Sequence, residues 1–159
     1  MSSGISVRRL SPEDWQLYRR VRLAALEEAP YAYGSSYARE VDIPERRWRQ
    51  GLKDRARFIA EVDGEVAGTV SGGAGESSRA AGMTAMWVDP RFRRGGVGDL
   101  LVKTLLEWAR SAGFGEMFLW VTDGNTGAER LYERNGFVRT GVAQEVRPGH
   151  LEYEMAREL

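Results

Sequence analysis

The segment Val88-Asp89-Pro90-Arg91-Phe92-Arg93-Arg94-Gly95-Gly96-Val97-Gly98 constrains this chain more than any other. It follows an apolar stretch, Met83 to Val88, stopped by Asp89-Pro90, and it opens a helix over Val97 to Ala112. That helix places Val97, Leu101, Leu105, Trp108 and Ala112 along one face, and Gly113 and Gly115 end it. A strand that feeds a glycine-rich turn and then a helix N-terminus aims unpaired backbone N–H groups and a positive dipole end at one point. Glycines let an anion approach that backbone closely, and Arg93 and Arg94 add charge-assisted donors. A dinucleotide fingerprint on Gly96 and Gly98 would need a third glycine at 101, where Leu stands. No Gly-Lys-Ser/Thr follows, so a nucleoside-triphosphate loop is excluded as well. Taken alone, the glycines would equally serve a plain strand-to-helix turn.

The remaining chain supplies a sheet around this unit. Ile5 to Leu10 alternates as a first strand, and Ser11-Pro12-Glu13-Asp14 starts a helix that Pro30 ends, with Leu17, Val21, Ala24 and Ala25 as its inward face. The aromatic, small-residue stretch from Tyr31 to Tyr37 fits neither period, and a short helix is predicted from near Pro44 through Trp48 to about Leu52. Phe58 to Val62 and Glu65 to Ser71 flank Asp63-Gly64, a hairpin signature, and Gly72 to Gly82 reads as a loop. Met117 to Val121 is a strand and Gly127 to Arg134 a short helix closed by Asn135-Gly136. Phe137 to Val146 and His150 to Ala156 form a final hairpin across Pro148-Gly149. The order β-α-α-β-β-β-α-β-α-β-β predicts an α/β fold, with a mixed, mostly antiparallel central sheet flanked by helices, as a single domain over residues 1–159.

Composition narrows the function classes. Lys plus Arg and Asp plus Glu each total 23, so the formal charge is zero and neither a nucleic-acid nor a membrane partner is expected. With no cysteine and one histidine, His150, thiolate chemistry is excluded and a metal site is not expected. Met1 to Ser6 lacks a signal-peptide pattern, and the expected location is cytoplasmic.

A second pattern lies downstream. Asn125, Ala128, Leu131, Tyr132, Gly136 and Phe137 fit N-x-x-A-x-x-L-Y-x-x-x-G-F without a mismatch. Positions 125, 128 and 132 share one helical stripe, and the small Ala leaves room for a ligand along it. Separately, Tyr132 suits a helix core and Asn125 a helix cap. Together with Arg93-Arg94-Gly95-Gly96-Val97-Gly98, preceded by Val88-Asp89-Pro90, they resemble the GNAT superfamily of acetyl-CoA-dependent N-acetyltransferases, whose cofactor motif is Q/R-x-x-G-x-G/A. The resemblance is specific over Met83 to Phe137 and extends in element order to nearly the whole chain.

The resemblance implies acetyl-CoA as cosubstrate, with its pantetheine arm between the strand ending at Val88 and the strand Met117 to Val121. Main-chain groups of Met86, Trp87 and Val88 would border it, with the Val88 N–H as oxyanion donor. Arg93, Arg94, Gly95, Gly96, Val97 and Gly98 would take the pyrophosphate. Asn125 and Ala128 would lie along the cofactor, and Tyr132, the catalytic residue, would protonate the departing thiolate. The expected acceptor is a primary amine of a small molecule, attacking directly in a ternary complex. Protein N-termini or lysines, or a non-catalytic acyl-CoA-binding module, are the alternatives, and a homodimer is compatible with the family. A sugar-phosphate or nucleotide-binding domain would leave the Asn125 to Phe137 pattern unexplained. Thr84 to Trp87 holds no carboxylate where some members carry a general base, which leaves Glu40 or Glu61 acting through water as guesses. Tyr31, Tyr33, Tyr37, Trp48 and Trp87 either wall an acceptor pocket or simply pack.

Overall fold

The computed structural model describes residues 4–33 and 35–159, with the side chain of residue 31 outside that description. Strand β1 (Ile5–Arg9) leads through a single 3-10 turn at Pro12–Asp14 into helix α1 (Trp15–Glu28). The turn is fixed by a capping box in which the Ser11 N–H donates to Asp14 Oδ2 at 2.9 Å. The buried face of α1 is carried by Tyr18, Val21, Leu23, Ala25 and Leu26. Ala24, expected inside, is exposed, and Leu17 is half-buried. A methyl group offers little area to bury, so the helix turns its larger Tyr18 and Leu26 side chains inward instead.

A one-turn helix, α2 (Tyr37–Glu40), begins at the end of the aromatic stretch that fits no period. Ser36 caps it by accepting from the Arg39 N–H at 3.2 Å, a local bond that apolar periodicity does not register. Helix α3 (Glu45–Asp54) follows, burying Trp48 and Leu52.

The sheet continues with β2 (Ala56–Val62), β3 (Glu65–Ala74) and β4 (Ala80–Val88), then β5 (Glu116–Thr122), β6 (Val138–Arg147) and β7 (His150–Glu158). Helix α4 (Val97–Ser111) joins β4 to β5, and α5 (Thr126–Arg134) joins β5 to β6. Strand order is β1-β2-β3-β4-β5-β7-β6, and every neighbouring pair is antiparallel except β4 with β5. The expected α/β fold, a mixed and mostly antiparallel sheet flanked by helices, is therefore the one observed. Alternation along β2 assigns the faces. Ala56, Phe58 and Ala60 join the core under α4, which also holds Leu101, Leu105, Tyr132 and Phe137. Ile59 points the opposite way, into a cluster with Tyr18 and Trp48 of α1 and α3. On α4 the face runs through Val97, Leu101, Val102, Leu105, Leu106 and Ala109, while Ala112 is exposed beyond the helix end.

The Gly72 to Gly82 loop is corrected by the structure. β3 runs on to Ala74 and β4 starts at Ala80, so only residues 75–79 connect them. Gly72 and Gly73 mark close packing rather than a bend. A Cβ on Gly72 would lie 2.7 Å from Leu105 Cδ1 and 2.8 Å from Trp108 Cζ3, so its absence lets α4 lie flat on the strand. No helix among the described residues is long and apolar enough to cross a membrane.

Candidate active site

Strands β4 and β5 pair only where they begin, Ala80 to Gly82 against Glu116 to Phe118. Beyond that point they part, and the gap forms a cavity of about 640 Å³ bordered by Met83 to Val88 on one side and Leu119 to Thr122 on the other. A bulge in β4 contributes to this opening. Thr84 pairs with Ser71 and Trp87 with Thr69, so Ala85 and Met86 together oppose one residue, Val70. Ala85 sits at φ +56°, a left-handed conformation unfavourable for a residue with a Cβ. The extra residue shifts the alternation, so that Met86 and Val88 pack toward the α4 core with Met83, and Trp87 packs against Val21 and Ala25 of α1.

The bulge also sets which peptide groups face the gap. Asp89 N–H bonds Ala67 C=O at 2.8 Å, and Val88 pairs with Gly68, so by ladder alternation the Val88 peptide groups point away from β3 toward β5. The Val88 carbonyl accepts from Arg93 Nε at 2.9 Å, and the Met86 carbonyl accepts from the Tyr33 hydroxyl at 2.9 Å. The Trp87 indole donates to Glu28 at 2.9 Å, on the α1 side.

One end of the gap meets the N-terminus of α4. Arg94 at φ +66° and Gly96 at φ +89° are both left-handed, and Gly96 occupies the N-cap, where a side chain would be strained. The backbone N–H groups of Arg94, Gly95, Gly96, Val97, Gly98 and Asp99 find no acceptor among the described residues. Six successive unpaired amides at the positive end of a helix form an anion cradle. Nothing lies within 4 Å of the space a Cβ on Gly96 would take, so a phosphate can approach there. Arg94, Gly96 and Gly98 line the cavity, whereas the Val97 side chain is buried in the core. Arg93 lines it too, with its Nη2 2.6 Å from Glu28.

Helix α5 closes the opposite wall. Asn125 is its N-cap, accepting from the Ala128 N–H at 3.3 Å, and both residues border the cavity. Tyr132 is buried edge-on against Phe137, with ring centroids 6.1 Å apart. No described group accepts a hydrogen bond from its hydroxyl, and burial drives its pKa well above the usual phenol value. It therefore holds its proton across the whole neutral range.

A second cavity, about 700 Å³, shares Ala32, Tyr33, Met83, Thr84, Ala85 and Trp120 with the first and opens on the α1–α3 face of the sheet. Of the aromatic candidates, Tyr33 and Trp48 line it, Trp87 borders only the first cavity, and Tyr37 is exposed outside both. Position 31 lies outside the described side chains. Trp120, which borders both cavities, carries no sequence signal beyond its place in an apolar strand. Glu40 lines the second cavity, gripped by Arg22 Nε and Nη2 at 3.0 Å each. Burial works to raise its carboxyl, but the Arg22 fork and Ser35 hold it below the usual range, making it a weak base. Glu61 borders neither cavity and pairs with Arg8 at 3.1 Å, and His150 is exposed at the start of β7.

A splayed parallel strand pair ending at a glycine-capped helix is the architecture of one enzyme class. The model of the acetyltransferase (GNAT) family matches residues 18–137, and the chain belongs to that family. An uncharacterized N-acetyltransferase of Methanocaldococcus jannaschii is 31% identical over 103 residues, which are 62% of this chain and 46% of that protein. The chain thus spans less than half the length of this curated relative. Among solved structures, the ribosomal-protein-alanine N-acetyltransferase of Brucella melitensis superposes with a TM-score of 0.80 at 19% identity, over 97% of this chain and 99% of that one. The spermidine N-acetyltransferase of Vibrio cholerae, in complex with CoA and spermine, gives 0.80 at 18% identity, over 99% and 96%.

Proposed function

We propose that this chain, acting as one domain, is an N-acetyltransferase that moves an acetyl group from acetyl-CoA to a primary amine of a small molecule by direct attack in a ternary complex. The observation that carries this reading is the run of six unpaired amides, Arg94 to Asp99, at the end of a gap that also holds the Tyr132 side chain. The residues present fit the cosubstrate: an anion cradle for pyrophosphate, strand-edge peptide groups that face the gap for an extended amide arm, and a protonated phenol. Bound acetyl-CoA supplies an activated thioester, and the chain supplies orientation and protons. Gly96, Gly98 and the neighbouring amides hold the phosphates, with Arg94 adding charge. Arg93, on the cavity wall and tied to Val88 and Glu28, braces the loop. Asn125 and Ala128 shape the wall beside the arm. The Val88 N–H stabilises the developing oxyanion, and Tyr132 gives its proton to the departing sulfur.

The second cavity admits the acceptor and meets the first at Thr84, Ala85 and Trp120. Its size suits a small molecule. The two solved neighbours are named for spermidine and for a ribosomal protein, so both acceptor types occur on this fold.

The test is release of free thiol from acetyl-CoA by the purified protein across a panel of amines, beside its melting temperature with CoA. CoA at a hundred times its dissociation constant is expected to add about 2.7 kcal/mol of stability, several degrees of melting temperature. No shift with either CoA or acetyl-CoA would remove the cofactor assignment. No thiol release with any amine of the panel, despite a shift, would leave a binding module.

A further inference from the structure

The second cavity is markedly cationic in a protein of zero formal charge. Its lining contains the guanidinium groups of Arg22, Arg39, Arg47, Arg55 and Arg57 against one carboxylate, Glu40, and that carboxylate is consumed by Arg22. The other four have no acidic partner within ion-pair distance among the described residues.

Arg55 and Arg57 are the most informative of these, because they are built into place. The β2 alternation that sends Ala56 and Phe58 under α4 turns Arg57 to the opposite side of the sheet, and Arg55, the extended C-cap residue of α3 just before β2, lines the same cavity. Arg57 Nη1 donates to the Tyr18 hydroxyl and, at 3.2 Å, to Ser71 Oγ, and the guanidinium stacks 4.6 Å from the Tyr18 ring centroid. Arg55 Nη2 donates to Thr84 Oγ1 at 3.1 Å. Room for Arg55 comes from Gly73, where a Cβ would lie 2.7 Å from Nη1. Burial, followed by the charge of Arg57, lowers the Arg55 pKa, as expected for half-buried like charges with no counter-ion. Every partner they have is neutral. Two cations held side by side in a cavity by hydroxyl groups are arranged to receive a ligand oxyanion, since guanidinium and carboxylate or phosphate pair by paired parallel hydrogen bonds.

Accepting the proposed acetyl transfer at the neighbouring gap, we propose that the acceptor is an amine that carries its own oxyanion, a carboxylate or a phosphate. Arg55 and Arg57 bind the anion, and the amine extends past Thr84 toward the bulge at Ala85. A polyamine is disfavoured in the same cavity by its surplus of arginines over carboxylates.

The experiment compares L-alanine and L-aspartate with their amides, and O-phosphoethanolamine with ethanolamine and spermidine. Two readouts are taken: kcat/KM by thiol release, referred to the concentration of unprotonated amine because the paired amines differ in pKa, and the melting temperature of the CoA-saturated protein with each amine. The wild-type chain is expected to prefer an anionic amine over its neutral partner at least tenfold. Arg55→Gln and Arg57→Gln should each collapse that ratio by tenfold or more, and Arg55→Lys should restore part of it. A rise in melting temperature with CoA shows that each variant is folded. The carboxylate and phosphate arms decide which oxyanion is read. Equal or better use of the amides or spermidine, or an unchanged ratio in folded Arg55→Gln, overturns the anion site while leaving acetyl transfer intact. Should no amine be acetylated, stabilisation by an anionic amine that vanishes in Arg55→Gln still supports the site. Absence of both turnover and stabilisation sinks it.

Discussion

Tyr132 is placed by packing and left unpaired by chemistry. Its ring fills the core against Phe137, while its hydroxyl meets the cavity with no protein acceptor. Tyr132→Phe therefore removes one oxygen and no protein hydrogen bond, and the melting temperature should change little. Turnover is expected to fall by roughly a hundredfold, the usual loss with a general acid, while CoA affinity stays within a factor of about two. Steady-state kinetics and calorimetric titration of both forms check this, and equal turnover would take Tyr132 out of the mechanism. Arg93 shows the opposite economy. Its charge is spent on Glu28 and the Val88 carbonyl, so at this position the structure supports bracing of the loop more than direct pyrophosphate contact.

At the scale of elements, the approach of α4 to β3 depends on the missing Cβ at Gly72. Gly72→Ala would drive a methyl group against Leu105 and the rigid Trp108 ring, both at under 3 Å. Overpacking of this kind costs about 1–3 kcal/mol, and urea unfolding should show the loss without a change in slope. An unchanged midpoint would show that α4 can lift freely. The same glycine explains what the sequence leaves hidden. Gly72 and Gly73 look like loop residues because composition carries no record of what lies opposite a strand. By contrast, the glycine-rich turn at Arg93 to Gly98 and the Asn125 to Phe137 pattern are legible, since each sets its local geometry within about a dozen residues. The bulge at Ala85 is not, because it exists only as two residues facing one across the β3 register. Arg55 and Arg57 likewise read as ordinary charges beside a strand, and only the fold brings them together against Tyr18 and Thr84.

Across the whole molecule, the two cavities share a shortage of free base. Three carboxylates line them, and each is ion-paired: Glu28 with Arg93, Asp99 with Arg134 and Glu40 with Arg22. Asp99 and Glu40 are held below the usual carboxylate range by hydrogen bonds from those partners, against the burial that would raise them. Tyr33 and Tyr132 move the other way, burial pushing both phenols upward. Asp99, Glu40 and both phenols are thus all moved away from neutrality, Glu28 is tied to Arg93, and the one histidine is exposed at the start of β7. Under the proposed reaction, the acceptor amine must then lose its proton to solvent before it attacks. The fraction of free amine rises about tenfold per pH unit below an amine pKa near 10. Accordingly kcat/KM should climb through neutrality with a slope close to one, and flatten only as the amine itself titrates. Because the raised pKa keeps Tyr132 protonated, no alkaline fall is expected before about pH 10. Substituting an amine of lower pKa should move the flattening point down by the same amount. A plateau beginning near pH 7, independent of the amine, would reveal a protein base that the cavities do not show. Glu40→Gln would be the first variant to make under that outcome, because among the described residues Glu40 is the only carboxylate lining the second cavity.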